Sequence, residues 1–256
     1  MQIILLTFLL IKSSICSEIM DPRSQDKKYL SEFCPWQKYC KEGTHVVCMY
    51  YDHEHEFGPR CGNAVRTEIT PKMIQSILQH VNNMRGKISS GLERGKDNKL
   101  LPRAYGMMKM KWDEELATLA KVLANQCMGG REDTCRATEK FPNPSQSIAI
   151  VHFKYPNWDL PDLNLKYYLK LIRGGATHIG CGISAYSKYK VDGQTESIQN
   201  SVQVVCNISE GPQSGEPVYN TDPPIPGQGL TKRCGCPKGY KETRNCLCER
   251  VSDEWI

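Results

Sequence analysis

The segment from Trp112 to Cys127 restricts the fold of this 256-residue chain more than any other stretch. Asp113 stands where its carboxylate can cap the first turn of a helix. The apolar residues that follow recur at the spacing of one helical face, and they are Leu116, Leu119, Ala120, Leu123 and Cys127. The pattern predicts a helix that buries one apolar stripe and ends at a buried thiol.

Other elements are predicted on both sides of this helix. Thr70 and Pro71 open an earlier helix, because proline favours the first helical position. Its apolar residues at helical spacing are Ile74, Ile77, Leu78, Val81, Met84, Ile88 and Leu92. Residues 177–186 and 201–208 have strand character. Residues 163–172 fit either a strand, from their alternating apolar side chains, or a short helix.

The N-terminus and the cysteines predict export. Residues 1–16 are typical of a signal peptide, since the apolar run from Ile3 to Ile11 is too short to span a bilayer and small residues precede a cut at Ser17. No later segment is apolar for long enough to be a transmembrane segment. Removal of Cys16 leaves twelve of the 13 cysteines, an even number that indicates disulfides in an exported chain.

Several short motifs complete the pattern. They are Gly62-Asn63, Asn82, Arg85, Asp133-Thr-Cys135, Gly180-Cys181-Gly182, Val205-Cys206-Asn207 and Glu216-Pro217-Val218-Tyr219. With the central helix, they make the chain resemble the CAP (SCP/TAPS) superfamily, specifically its insect venom allergen 5 (antigen 5-like) branch, over residues 34–219. The resemblance implies an α+β fold, a three-layer α–β–α sandwich that is rich in disulfides.

The resemblance also implies disulfide pairs and an organisation of the chain. The implied pairs are Cys34–Cys48, Cys40–Cys135, Cys61–Cys127 and Cys181–Cys206, while Cys234, Cys236, Cys246 and Cys248 pair among themselves in an order that stays open. A Cys-rich extension over residues 17–66 precedes a CAP domain over residues 67–219. A Pro/Gly linker over 220–233 leads to a tail over 234–256, which has too few residues for a core and must rely on disulfides.

CAP domains usually carry a central cleft lined by two histidines and two glutamates. The residues that fall at or near these positions are Arg131, Glu132, Gln146 and Tyr167. The second glutamate and its helix are missing from a domain that is shortened between residues 146 and 167, where Pro156 and Pro161 disfavour a helix. These side chains cannot reproduce two imidazoles facing two carboxylates, so the sequence predicts no catalytic residues, no metal and no cofactor.

Two further motifs are candidates for a metal site and a glycosylation site. His53-Glu54-His55-Glu56 has the ligands of a zinc site, but the interpretation adopted is a solvated loop. Asn207-Ile208-Ser209 is an acceptable sequon and predicts glycosylation of Asn207.

The sequence thus predicts a secreted, extracellular and monomeric binding protein of venom, saliva or haemolymph, and not an enzyme. Its partner is an unknown extracellular protein or a small lipid ligand; the interspersed charges, with a net of +5, predict no nucleic-acid partner. One alternative is a lipid or sterol carrier that uses the groove between the helices and the sheet. Another is a degenerate copy, or a gene-model error between Gln146 and Tyr167, with little activity.

Overall fold

The computed structural model describes residues 39–52, 54–95, 97–154, 157–158, 165–186, 188–190, 197–198 and 201–251. The helices within these residues are α1 (Val46–Tyr50), α2 (Pro71–Ser89), α3 (Glu114–Ala124) and α4 (Leu165–Leu171). The strands are β1 (Cys61–Gly62), β2 (Lys111–Trp112), β3 (Ser145–Lys154), β4 (Asn157–Trp158), β5 (His178–Tyr186), β6 (Lys188–Lys190), β7 (Ser197–Ile198), β8 (Ser201–Ile208), β9 (Tyr240–Glu242) and β10 (Cys248–Arg250). Residues 1–38, including the predicted signal peptide, lie outside the described residues.

A five-stranded sheet in the order β2-β5-β8-β3-β4 forms the central layer. β2 runs parallel to β5, and the other neighbours are antiparallel. β5 and β8 confirm the two strands predicted from the sequence. β3 was not predicted, although it supplies the second partner of β8. The segment left open between strand and helix forms α4.

α3 covers one face of the sheet. Asp113 Oδ1 accepts a hydrogen bond from the N–H of Leu116 at 3.1 Å, which confirms the predicted cap. The predicted apolar stripe is fully buried, at Leu116, Leu119, Ala120, Leu123 and Cys127. Gly180 and Gly182 lie directly beneath the helix, where a Cβ on either residue would overlap the helix backbone. These two glycines set how closely the helix approaches the sheet.

α2 packs on the opposite face, so helices cover both sides of the sheet and the fold is a three-layer α–β–α sandwich. Its cap is Thr70, whose hydroxyl accepts from the N–H of Met73 at 3.3 Å. Val81 packs against Ile179 and neighbouring residues of the sheet. The helix ends at Ser89, earlier than the periodicity indicated, and Leu92 is 68% exposed rather than part of the apolar stripe.

Arg85 joins α2 to the loops around it. Its buried guanidinium donates only to main-chain carbonyl oxygens, and these belong to Met108, Leu171, Arg173, Gly174 and Ala176. Burial lowers the pKa of Arg85 to about 9. The residue therefore holds together two loops that are distant in sequence.

Disulfides cross-link several parts of the fold. The bridges between described residues are Cys40–Cys135, Cys61–Cys127, Cys181–Cys206, Cys234–Cys246 and Cys236–Cys248. The first three are pairs that the resemblance implies, and the last two give the order that the sequence left open. Cys48 is also disulfide-bonded; its implied partner, Cys34, lies outside the described residues.

The C-terminal hairpin, defined as residues 231–251, contains β9 and β10 and packs directly against the domain. Leu247 is buried in a cluster with Ile88 and Met107. The N–H of Cys248 donates to the carbonyl oxygen of Met107 at 2.8 Å, and the N–H of Lys109 donates to the carbonyl oxygen of Cys248 at 2.9 Å. The hairpin thus does not rely on its disulfides alone, because its packing continues the core of the domain.

Candidate functional site

Gln146 lies at the centre of the predicted cleft, at the start of β3. Its side chain is completely buried. The amide Nε2 donates to Asp133 Oδ2 at 2.7 Å and to Asn207 Oδ1 at 2.9 Å, and Oε1 accepts from the N–H of Asp133 at 3.2 Å. Both N–H bonds and the carbonyl oxygen are thus used, which fixes the orientation of the amide.

Asp133 is held from its other side by Arg136. Arg136 Nε donates to Asp133 Oδ1 at 2.7 Å, and its NH1 group donates to the carbonyl oxygen of Pro144 at 2.9 Å. Both carboxylate oxygens of Asp133 therefore have donors. A charge-paired carboxylate in a buried network is a structural anchor, because neither oxygen is open to a substrate.

Asn207 belongs to the same network, and the prediction of glycosylation there does not fit the structure. Its side chain is fully buried, and Nδ2 donates to the carbonyl oxygen of Leu116 at 3.1 Å. A glycan on Nδ2 would require the space that α3 occupies. The sequon is a local pattern, whereas the burial of Asn207 comes from a helix more than 80 residues earlier in the chain.

Lys170 on α4 occupies the remaining space of the cleft. Its ammonium donates to Glu132 Oε1 and Oε2, both at 3.0 Å, and to the carbonyl oxygen of Gln146 at 2.7 Å. The side chains of Lys170 and Glu132 are 11% and 24% exposed. No sequence pattern singled out Lys170. A helix over residues 163–172 would place it about one turn after Tyr167.

The four predicted positions do not form one group. Glu132, Gln146 and Tyr167 meet around Lys170, whose ammonium lies 5.3 Å from the centre of the Tyr167 ring. The Tyr167 hydroxyl also donates to the carbonyl oxygen of Gly130 at 3.3 Å. Arg131 instead lines a separate cavity of about 880 Å³ next to α1.

Metal-binding side chains are not assembled in the part of the chain that the structure describes. No group of three or more histidine, cysteine, aspartate or glutamate side chains there is placed to hold a metal ion. His55 Nδ1 lies 3.0 Å from Asp52 Oδ2 on an exposed loop. The pKa of Asp52 is lowered, chiefly by a hydrogen bond from the N–H of Glu54 and next by the hydrogen bond with His55. His53 lies outside the described residues.

An apolar groove of about 610 Å³ lies on another side of the domain, between α4 and two loops. Its walls include Leu101, Leu169, Ile172, Val218 and the rings of Tyr168 and Tyr219. Burial raises the pKa of Tyr168 to about 12, with a further contribution from Glu93. The groove offers apolar surface with few polar groups, which is the composition of a site for an apolar ligand.

Comparison with known proteins agrees with this architecture. Residues 78–208 match the model of the CAP family, described as the cysteine-rich secretory protein family. The chain is 30% identical to venom allergen 5 of Vespula pensylvanica over 214 residues, covering 72% of this chain and 97% of that protein. It is 26% identical to tabinhibitin 4 of Tabanus yao over 245 residues, covering 84% of this chain and 87% of that protein.

The chain therefore belongs to the CAP family. Among solved structures, BmVAL-1 is similar in fold, with a TM-score of 0.50, 16% identity, and coverage of 72% of this chain and 97% of that chain. None of the helices that the structure describes combines the length and the apolar character needed to cross a membrane.

Proposed function

We propose that this protein is a secreted, non-catalytic CAP protein that acts by binding a partner through its surface. The observation that carries the proposal is the Lys170–Glu132 ion pair, which occupies the cleft where the family resemblance implies a histidine and glutamate cluster. Export is supported by the disulfides, since these persist in oxidising compartments. The venom allergen 5 proteins to which the chain is similar support an origin in venom or a comparable secretion.

The contacts of the cleft argue against acid–base chemistry there. A general acid or base needs a protonation state that can change and an atom within reach of the substrate. Glu132 is held by the ammonium of Lys170, and Lys170 has an acceptor for each of its N–H bonds. Removal of either charge would leave its partner in the cleft with little solvent, so the pair is a structural part of the cleft.

Isothermal titration calorimetry of the secreted chain with Zn²⁺, together with assays for turnover, tests the proposal. We expect no stoichiometric Zn²⁺ binding at the cleft and no turnover of peptide or ester substrates. The matched variants are Glu132→Gln in the cleft and His55→Gln in the exposed loop. Zinc binding that disappears in E132Q but persists in H55Q, or any turnover that E132Q abolishes, would overturn the proposal. Binding that only H55Q removes would leave the cleft unoccupied, as proposed.

A second candidate function is favoured by the apolar groove, which has a volume suited to a lipid or sterol. A carrier needs an apolar site from which the ligand can easily displace water. The groove is lined by apolar side chains such as Leu169 and Val218. In this function the groove, rather than the outer surface, would determine the partner.

Titration with a fluorescent fatty acid and a fluorescent sterol distinguishes the two functions. Carrier function predicts saturable binding that Val218→Trp, which fills the groove, weakens at least tenfold. Val251→Trp on the exposed end of the C-terminal hairpin is the control and should bind normally. Absence of saturable binding to the wild-type protein would exclude the carrier function and leave the surface-binding proposal.

A further inference from the structure

The C-terminal hairpin is rich in cationic side chains. Its cationic residues, all exposed, are Lys232, Arg233, Lys238, Lys241, Arg244 and Arg250. Two carboxylates, Glu242 and Glu249, lie among them, and Asp253 and Glu254 follow in the sequence, outside the described residues. The hairpin thus carries a net charge of +4, and residues 231–256 together carry +2.

These cations are mounted on a rigid frame. The Cys234–Cys246 and Cys236–Cys248 disulfides cross-link the hairpin, and β9 pairs with β10. Leu247 anchors the frame in the core of the domain. Because the backbone is already ordered, a ligand that binds these side chains would not have to order it.

Both carboxylates of the hairpin are engaged by nearby cations. Glu249 accepts a hydrogen bond from Lys109 at 2.7 Å and lies 3.7 Å from Lys241. The bond from Lys109 lowers the pKa of Glu249, so this carboxylate stays ionised. Glu242 pairs with Arg233 at 3.3 Å. The two anions thus neutralise part of the patch but leave its excess charge in place.

Three cations have no such partner. Lys232, Lys238 and Arg244 form no ion pair with any carboxylate that the structure describes. Lys238 precedes β9 and Arg244 follows it, so these two charges lie towards opposite ends of the hairpin. Cations spread along an extended element match a linear polyanion better than they match a small anion.

We propose that the C-terminal hairpin binds a sulfated glycosaminoglycan. The guanidinium groups can each contact two oxygens of an oxyanion, and the ammonium groups act as mobile point charges. Repeated sulfates along one chain would contact several of the cations at once, which gives affinity without a deep pocket. The inference does not depend on the function proposed above, because it concerns a surface remote in sequence from Glu132 and Lys170.

An anionic membrane is a less suitable partner for this surface. Binding to a bilayer interface relies on an apolar face that enters the headgroup region. Within the described part of the hairpin, the exposed large apolar side chain is Val251, at 49%, and its one aromatic residue, Tyr240, is partly buried. The surface offers charge with little apolar area, as a soluble polyanion requires.

Heparin binding by the full secreted chain tests the proposal across a series of salt concentrations. We expect salt-sensitive binding to heparin, and weaker binding to desulfated heparin. The Lys238→Gln/Arg244→Gln double variant should bind heparin about tenfold more weakly, and the slope of log affinity against log salt should fall by about two. Both side chains are exposed, and the mass of the non-reduced protein confirms that the disulfides of the variant are intact.

The matched control is Lys41→Gln/Lys72→Gln, which removes the same charge from exposed residues outside the hairpin. It should keep heparin affinity within about twofold of the wild-type protein. Equal losses in both double variants would show a dependence on net charge alone and overturn the proposal. Absence of heparin binding would also overturn the proposal. The same holds if the protein binds vesicles containing phosphatidylserine but not heparin.

Discussion

Lys170 connects α4 to β3 through a hydrogen bond of 2.7 Å, from its ammonium to the main-chain carbonyl oxygen of Gln146. The two remaining N–H bonds point at the carboxylate of Glu132. The cleft of this CAP domain is thus closed by an internal cation that reaches both the sheet and the loop after α3.

Replacing Lys170 by methionine should lower the free energy of unfolding by about 2 kcal/mol, because Glu132 would keep a poorly solvated charge without its partner. The double variant Lys170→Met/Glu132→Gln should recover part of that loss. Urea denaturation with the disulfides intact measures both values. Lys72→Met, on an exposed part of α2, is the control and should change the stability by less than about 0.5 kcal/mol. Equal stabilities of the single and double variants would show that the pair is not coupled.

Arg85 should be among the least replaceable residues of the fold. Arg85→Met leaves several buried carbonyl oxygens without donors, so we expect the free energy of unfolding to fall by about 3 kcal/mol or more, or the variant to fail to accumulate as folded protein. Arg85→Lys keeps a charge and three donors and should be intermediate. The thermal unfolding midpoints of the three proteins check this order. A lysine variant as stable as the wild-type protein would mean that charge alone, rather than the planar array of donors, is required.

His45 should make the stability depend on pH. Its Nδ1 accepts from the N–H of Val47 at 3.2 Å, and Nε2 lies 3.0 Å from the carbonyl oxygen of Ala137, so the neutral ring carries its proton on Nε2. Burial lowers the pKa of His45. The stabilisation is therefore complete above the unfolded pKa of about 6.5 and is lost as the pH falls towards the folded pKa.

The variant His45→Asn retains a capping group that does not titrate. Its stability should fall less than that of the wild-type protein between about pH 6.5 and pH 5. Denaturant midpoints at several pH values in this interval measure the difference. Parallel curves for the two proteins would show that other groups, such as His178, whose pKa is also lowered by burial, account for the dependence.

The natural protein should carry no glycan on Asn207. Treatment with an amidase that removes N-linked glycans should leave the mass of the protein unchanged, because Nδ2 is buried beneath α3. A substitution to aspartate should destabilise the fold, because it removes the donor to Leu116 and places a carboxylate beside Asp133 and Gln146. A loss of mass that maps to Asn207 would contradict the structure at this position.

Local patterns in the sequence predicted the helices that cover the sheet. Asp113 and the apolar stripe of α3, and Thr70 with Pro71 at the start of α2, lie within a few residues of the contacts that they make. The end of α2 was predicted less well, since Leu92 continues the apolar spacing but follows Gly91, whose positive φ of 70° belongs to a turn. Asn82, one of the motif residues, bonds twice to the main chain of Met110: Nδ2 donates to its carbonyl oxygen at 3.0 Å, and Oδ1 accepts from its N–H at 2.8 Å.

The contents of the cleft depended on distant contacts. The sequence identified Gln146 and Tyr167 as positions without the family's side chains, but it did not show what replaced them. Lys170 meets Glu132 only because α4 lies across the start of β3. In the same way, Asn207 looks like a surface acceptor until α3 is placed over β8. A motif contains only residues that are close in sequence. The Lys170–Glu132 pair and the burial of Asn207 both depend on how helices pack on the sheet.

The position of Leu247 has a consequence for the order of events during biosynthesis. This residue completes a core cluster with Ile88, Met107 and Ile172, all of which come earlier in the chain. Most of the polypeptide must therefore leave the ribosome before that part of the interior can close. A chain that stops before the hairpin would leave the apolar side chain of Ile88 on α2 without this neighbour. Closure of this cluster thus follows synthesis of the C-terminal hairpin.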